Sequence, residues 1–100
     1  MRRIIDIHNA TAKAFNLSPE KMLLRTRERP IAWPRMAAMY IAHEIAGYSY
    51  PRIGRFYGVH HTTVLHACRA VPVHCRRFEW PEYGNIVQGL ILALSLESAA

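Results

Sequence analysis

Two short helical stretches in this chain are joined by Gly58, Val59 and His60 alone, and a join that tight leaves few folds open. The first stretch starts at Ser49-Tyr50-Pro51 and carries its apolar side on Ile53, Phe56 and Tyr57. The second starts near His60 or His61, and Val64, Leu65, Cys68 and Val71 fall at i, i+1, i+4 and i+7 as a core stripe. Two short helices around a glycine-containing turn form the helix-turn-helix arrangement. Gly54 falls where the helices cross and a larger side chain would hold them apart. Gly58 falls where the turn calls for positive φ.

The remaining elements are helical too. Ile4, Ile7, His8, Ala12 and Phe15 predict a helix over residues 3–15, broken at Asn16-Leu17. Ser18-Pro19 starts a short second helix that ends with Met22, Leu23 and Leu24. From Arg25 to Pro30, arginines alternate with other residues and make no amphipathic pattern, so this segment is expected to be a loop with its arginines in solvent. Pro34 is expected to open the third helix, whose stripe is Ala37, Ala38, Ile41, Ala42 and Ile45, with Gly47 at its end. Pro72 is expected to stop the fifth helix and residues 73–81 to be irregular. A last helix over residues 82–97 is built around Ile86, Leu90 and Leu94. No strand pattern appears. The expected fold class is all-α, with about six helices and a central helix-turn-helix preceded by a basic loop. The 100 residues suit one domain, residues 1–100, with no room for a second of ordinary size.

Charge separates the chain into unlike parts. Residues 25–77 hold nine arginines against Glu28 and Glu44, whereas residues 78–100 hold three glutamates and no Lys or Arg. The excess is almost all arginine, whose planar fork suits phosphates and guanine edges, so an anionic partner is expected. The fifth helix leaves His61, Thr62, His66 and Arg69 off its core stripe. A helix N-terminus offers free N–H groups to phosphate. The short Thr62 and Thr63 allow close approach to a groove, and a threonine methyl can meet a thymine methyl. His61, His66 and Arg69 can hold the backbone on either side.

At this point the run from Ile53 to Arg69, with its string His61-Thr62-Thr63-Val64-Leu65-His66-Ala67-Cys68-Arg69, resembles the C-terminal DNA-binding domain of the bacterial replication initiator DnaA. The segment from Arg25 through Pro34-Arg35 to Met39 is similar to that domain's basic loop and following helix, and the likeness runs from roughly residue 4 to residue 71. The resemblance implies binding of double-stranded DNA, with the recognition helix in the major groove and the arginine loop in the minor groove. Arg27 would enter the minor groove, with Arg25 and Arg29 supporting backbone contact, and Arg35 would grip phosphate. Pro51 would lie where the first helix of the motif abuts DNA. His61 and Thr62 would reach base edges, and Thr63 and His66 would contact phosphate. The family usually has a basic residue at Val59, an aspartate at His60 and a lysine at Ala70. His60 is therefore a DNA-facing position at which base preference is expected to change, and two phosphate partners are missing. Full initiators carry an ATPase module. No G-x-x-x-x-G-K-[ST] occurs here, so neither nucleotide nor other cofactor is expected, and no enzymatic activity.

Simpler roles remain for other residues. His60, His61, His66, Cys68, His74 and Cys75 include zinc-ligand types, but Cys68 is predicted inward and His61 and His66 outward, so no metal site is expected. Cys68 is expected in the core and both cysteines reduced. Trp33, Phe56 and Trp80 are expected to pack, and Met36 and Met39 to fill core gaps. No apolar run approaches the ~18–20 residues of a membrane span. The opening residues reach Asp6 before any long apolar stretch, unlike a secretory signal. A cytoplasmic, nucleoid-associated protein is expected, regulating transcription or replication initiation. The alternative is a protein-interaction module that keeps this fold and binds a partner through residues 78–100, the acidic and apolar end.

Overall fold

The computed structural model describes residues 2–99, with side chains through residue 96. The helices are α1 (Ile4–Ala14), α2 (Pro19–Met22), α3 (Arg29–Glu44), α4 (Tyr50–Tyr57), α5 (His61–His74) and α6 (Pro81–Ala99). The fold is all-α, and no strand occurs among the described residues.

α3 is the central element. Its buried Ala37, Ala38 and Ala42 let neighbouring helices approach closely, and α1 and α5 pack against it. One cluster joins Ile7 of α1, Met39 and Ile41 of α3, Ile53 of α4, Val64 and Cys68 of α5, and Leu90 and Leu94 of α6. Burial pushes the Cys68 thiol up to about 11, in keeping with an inert core residue. A second cluster gathers Ala37, Val71, Tyr83 and Val87 beneath Trp33 and Trp80.

His8 is fully buried and links three segments. Its Nε2–H donates to the Pro19 carbonyl at 2.9 Å, which leaves Nδ1 to accept from the Tyr57 hydroxyl at 2.9 Å. The motif's first helix is thereby fastened to α1 and to the start of α2. At the join of α4 and α5, Gly58 adopts φ +67°. A Cβ on Gly54 would stand 2.7 Å from the Val59 carbonyl oxygen, so the turn closes only over glycine there.

Two prolines do not bound helices as expected, Pro34 as a start and Pro72 as a stop. α3 begins at Arg29, not Pro34, so Arg29 and Pro30 are helical and the basic loop is shorter than the sequence suggests. Pro30 lies in the first turn, where its missing N–H leaves no helical bond unmade, while Ala32 N donates to Glu28 O at 2.8 Å. Pro34 then sits inside the helix, its ring buried. Pro72 likewise lies within α5, which continues to His74. An interior proline forfeits a backbone bond and crowds the preceding turn. Here the Cys75 N–H to Val71 O bond, 2.9 Å, carries the helix on, and Trp33 stacks on the His74 ring with centroids 3.7 Å apart. Packing outweighs the local signal in both places.

Candidate nucleic-acid interface

The turn residues aim the exposed face of α5. Ile53, Val64 and Ala67 are buried, which leaves His60, His61, Thr62, Thr63, His66 and Arg69 exposed. His60 is the N-cap of α5. Its Nδ1 accepts from the Thr62 N–H at 3.2 Å and lies 2.8 Å from the Thr62 hydroxyl. Histidine is not among the usual capping residues, and the sequence carried no signal for this role. The His60 and His61 rings lie side by side, centroids 4.2 Å apart.

The segment between α2 and α3 forms a short arm held at both ends. Arg25 donates to the Gly58 carbonyl at 3.0 Å, which ties the arm to the turn of the helix-turn-helix. Arg35 reaches back from α3 and donates to the carbonyls of Leu24 at 2.6 Å, Thr26 at 2.9 Å and Met22 at 3.4 Å. It thus satisfies carbonyls that the end of α2 leaves open. Burial, with a smaller contribution from Arg25, lowers the Arg35 pKa somewhat, and the guanidinium remains charged. Arg27, between the two fastenings, is exposed and pairs with no other described residue. Arg29 is also exposed, but its guanidinium lies over the Trp33 ring, 4.8 Å from the centroid.

Arm and helix share two clefts. One, of about 400 Å³, is lined by Arg25, Thr26, Arg27, Tyr57, Val59 and Thr63. The other, of about 360 Å³, runs past Arg27, Arg35, Trp33, Met36, Thr63 and His66. Arg25, Arg27, Arg35, Thr63 and His66 therefore come together on one side of the molecule, next to the α5 N-terminus with His60, His61 and Thr62. Pro51, in the first turn of α4, and Arg69, beyond His66 on α5, are exposed and line neither cleft. Sequence reasoning missed the holding roles of Arg25, Arg35 and His60, because each depends on a backbone atom that only the folded chain brings near.

Trp33 and Trp80 pack as expected, in an aromatic group with His74 and Tyr83. Phe56 meets the His8 ring edge-on, centroids 5.7 Å apart. Among the described residues, no three of His, Cys, Asp and Glu gather in a way that could hold a metal ion. No helix among them is long and apolar enough to cross a membrane.

The profile of a family described as bacterial dnaA protein helix-turn-helix matches residues 4–71, from α1 through most of α5. Curated relatives are titled chromosomal replication initiator protein DnaA. That of Symbiobacterium thermophilum is 34% identical over 95 residues, covering 94% of this chain and 20% of the relative. That of Rhizobium meliloti is 44% identical over 70 residues, 69% of this chain and 15% of the relative. That of Caulobacter vibrioides is 45% identical over 69 residues, 68% of this chain and 14% of the relative. The chain thus spans a fifth or less of the length of these relatives.

Proposed function

The chain belongs to the bacterial dnaA helix-turn-helix family, and from that premise we propose that it is a sequence-preferring binder of double-stranded DNA. α5 lies in the major groove and the arm in the adjacent minor groove. Arg27 enters the minor groove, where narrow A·T-rich stretches concentrate negative potential. Arg25 and Arg29 support backbone contact. Arg35 grips phosphate and also holds the arm in shape, while Thr63, His66 and Arg69 contact phosphates. His60, His61 and Thr62 face base edges, and Pro51 brings α4 against the backbone.

The observation that carries most weight is the Arg25 bond to Gly58 O, which gives arm and α5 a fixed relation on one side of the molecule. The relatives' names favour a role in replication initiation; regulation of transcription, and a place in the cytoplasm at the nucleoid, belong to the same proposal. These 100 residues contain no phosphate-binding G-x-x-x-x-G-K-[ST] loop, so ATP hydrolysis by them has no part in the proposal.

An electrophoretic shift on random duplex tests the DNA reading. At ~50 mM salt, micromolar protein is expected to retard the duplex, because phosphate contacts alone support binding there. No retardation would contradict it.

A second reading has its own support. Phe78 is 85% exposed, and Leu92 and Leu96 are each 63% exposed on α6, within a part of the chain that carries no Lys or Arg. These residues suit a protein partner at residues 78–100, of which the side chains of residues 97–100 lie outside the described structure. On that reading Leu92→Glu abolishes the chain's activity in the cell while the DNA shift is unchanged.

A further inference from the structure

Resting on the reading that α5 faces base edges, we infer that His60 and Thr62 together select an adenine, through N7 and N6, at the position opposite the α5 N-terminus. The selection follows from a fixed hydrogen-bond polarity. The Thr62 amide N–H points at His60 Nδ1 from 3.2 Å, and an amide N–H can only donate, so Nδ1 presents its lone pair. In the neutral ring the single N–H proton is then on Nε2. The Thr62 hydroxyl lies 2.8 Å from the same Nδ1, and with no proton there the hydroxyl must be the donor. Its own proton is turned inward, and its oxygen is left to accept.

Both side chains are exposed at the first turn. The helix therefore offers two neighbouring groups of opposite and determined character: a donor from His60 Nε2 and an acceptor from Thr62 Oγ1. In the major groove, purine N7 and thymine O4 are acceptors, whereas cytosine shows a donor amino group at N4. Cytosine opposite His60 would set donor against donor. Of the four bases, adenine alone sets an acceptor, N7, beside an amino donor, N6, that suits the Thr62 oxygen. Rotating the imidazole to present Nδ1 instead would uncap the helix, so the polarity is bound to the fold. The adjacent His61 ring, tilted 35° to that of His60, flanks it.

His60→Asp separates capping from base selection. Aspartate is a favoured cap, so the first turn of α5 is retained, as circular dichroism would check. Its carboxylate only accepts, so the outward polarity inverts. In a selection from a randomised duplex pool, the wild type is expected to enrich an adenine at one position of one strand and His60→Asp a cytosine at that same position, with the other positions unchanged. A 7-deazapurine at that pair is expected to weaken the wild type about tenfold and leave His60→Asp unaffected. The same base enriched at that pair by both proteins, or wild-type affinity indifferent to 7-deaza substitution at every purine of the site, overturns the inference while DNA binding stands. Failure of both proteins to enrich any sequence removes the DNA reading along with it.

Discussion

The join between α4 and α5 and the join between α5 and α6 both turn a helix sharply, by different means. At the first, the backbone does the work. Gly58 takes a left-handed conformation, Gly54 has no Cβ to strike Val59, and a guanidinium from the distant arm bonds the Gly58 carbonyl. At the second, rings are added to a close approach of Gly84 to the Cys75 carbonyl. Trp33 lies flat on His74, Trp80 stacks beyond it with centroids 6.1 Å from Trp33, and the Tyr83 hydroxyl donates to Trp33 O at 2.8 Å. The arginine arm lies beside the first join, whereas no Lys or Arg occurs from residue 78 on. The contrast assigns them different work: the first join sets the angle of a polar, positively charged face, and the second supplies stability behind it.

That division can be broken by substitutions at either join. Tyr83 is fully buried, and Tyr83→Ala is expected to cost about 4 kcal/mol in urea unfolding, the scale of a lost core aromatic, while protein that remains folded keeps its DNA affinity. Gly54→Ala and Gly84→Ala make a matched pair. A Cβ at Gly54 meets Val59 O at 2.7 Å and one at Gly84 meets Cys75 O at 2.5 Å, both backbone atoms. Each is expected to cost about 2 kcal/mol. Gly54→Ala also swings α5 away from the arm and abolishes sequence preference in a binding titration, whereas Gly84→Ala leaves it intact. Equal loss of preference from both would erase the distinction between the joins.

Within the first join the comparison sharpens further. Arg35→Ala removes charged donors from three carbonyls and is expected to cost about 1.5 kcal/mol in stability. It is also expected to remove the proposed A·T preference together with the proposed phosphate contact. Arg27→Ala is expected to remove the proposed A·T preference at no cost in stability, because Arg27 pairs with no other described residue. Salt titrations of the two variants on A·T-flanked and G·C-flanked duplexes would check this.

How much of this was legible beforehand follows the same line. Gly54 and Gly58 announce their turn because a steric requirement falls on a single residue. Pro34 and Pro72 mislead because proline is a local sign of a helix boundary, a start at Pro34 and a stop at Pro72, and here a free first turn at Pro30 and the Trp33–His74 stack override it. The first is local, and the second is a contact between segments far apart in sequence. The site divides similarly. Exposed residues on α5 could be recognised from helical spacing and resemblance. The bonds of Arg25 to Gly58 O and of Arg35 to three carbonyls could not, since their acceptors are backbone atoms that carry no residue-type signal. His60 was legible as a departure from its family but not as a cap, because imidazole rarely takes that place.

The smallest expected effect lies at the second join. Burial, followed by the charges of Arg77 and Arg29, holds the His74 imidazole below its ordinary pKa. The unfolded chain therefore takes up this proton first. The contribution to stability is full above the unfolded value of about 6.5 and is lost as pH falls through the folded value. Melting temperatures at pH 7.5 and 5.5 are expected to differ less in His74→Gln than in the wild type. An unchanged difference would remove His74 from the acid response.

The central claim is that one rigid face reads two adjacent grooves at once. Methylation interference by dimethyl sulfate on a selected duplex tests it directly, since the reagent marks guanine N7 in the major groove and adenine N3 in the minor groove. The wild type is expected to show guanine interference over one stretch and adenine interference a few base pairs away, and Arg27→Ala to lose only the adenine signal. Interference confined to a single groove in the wild type would contradict the account.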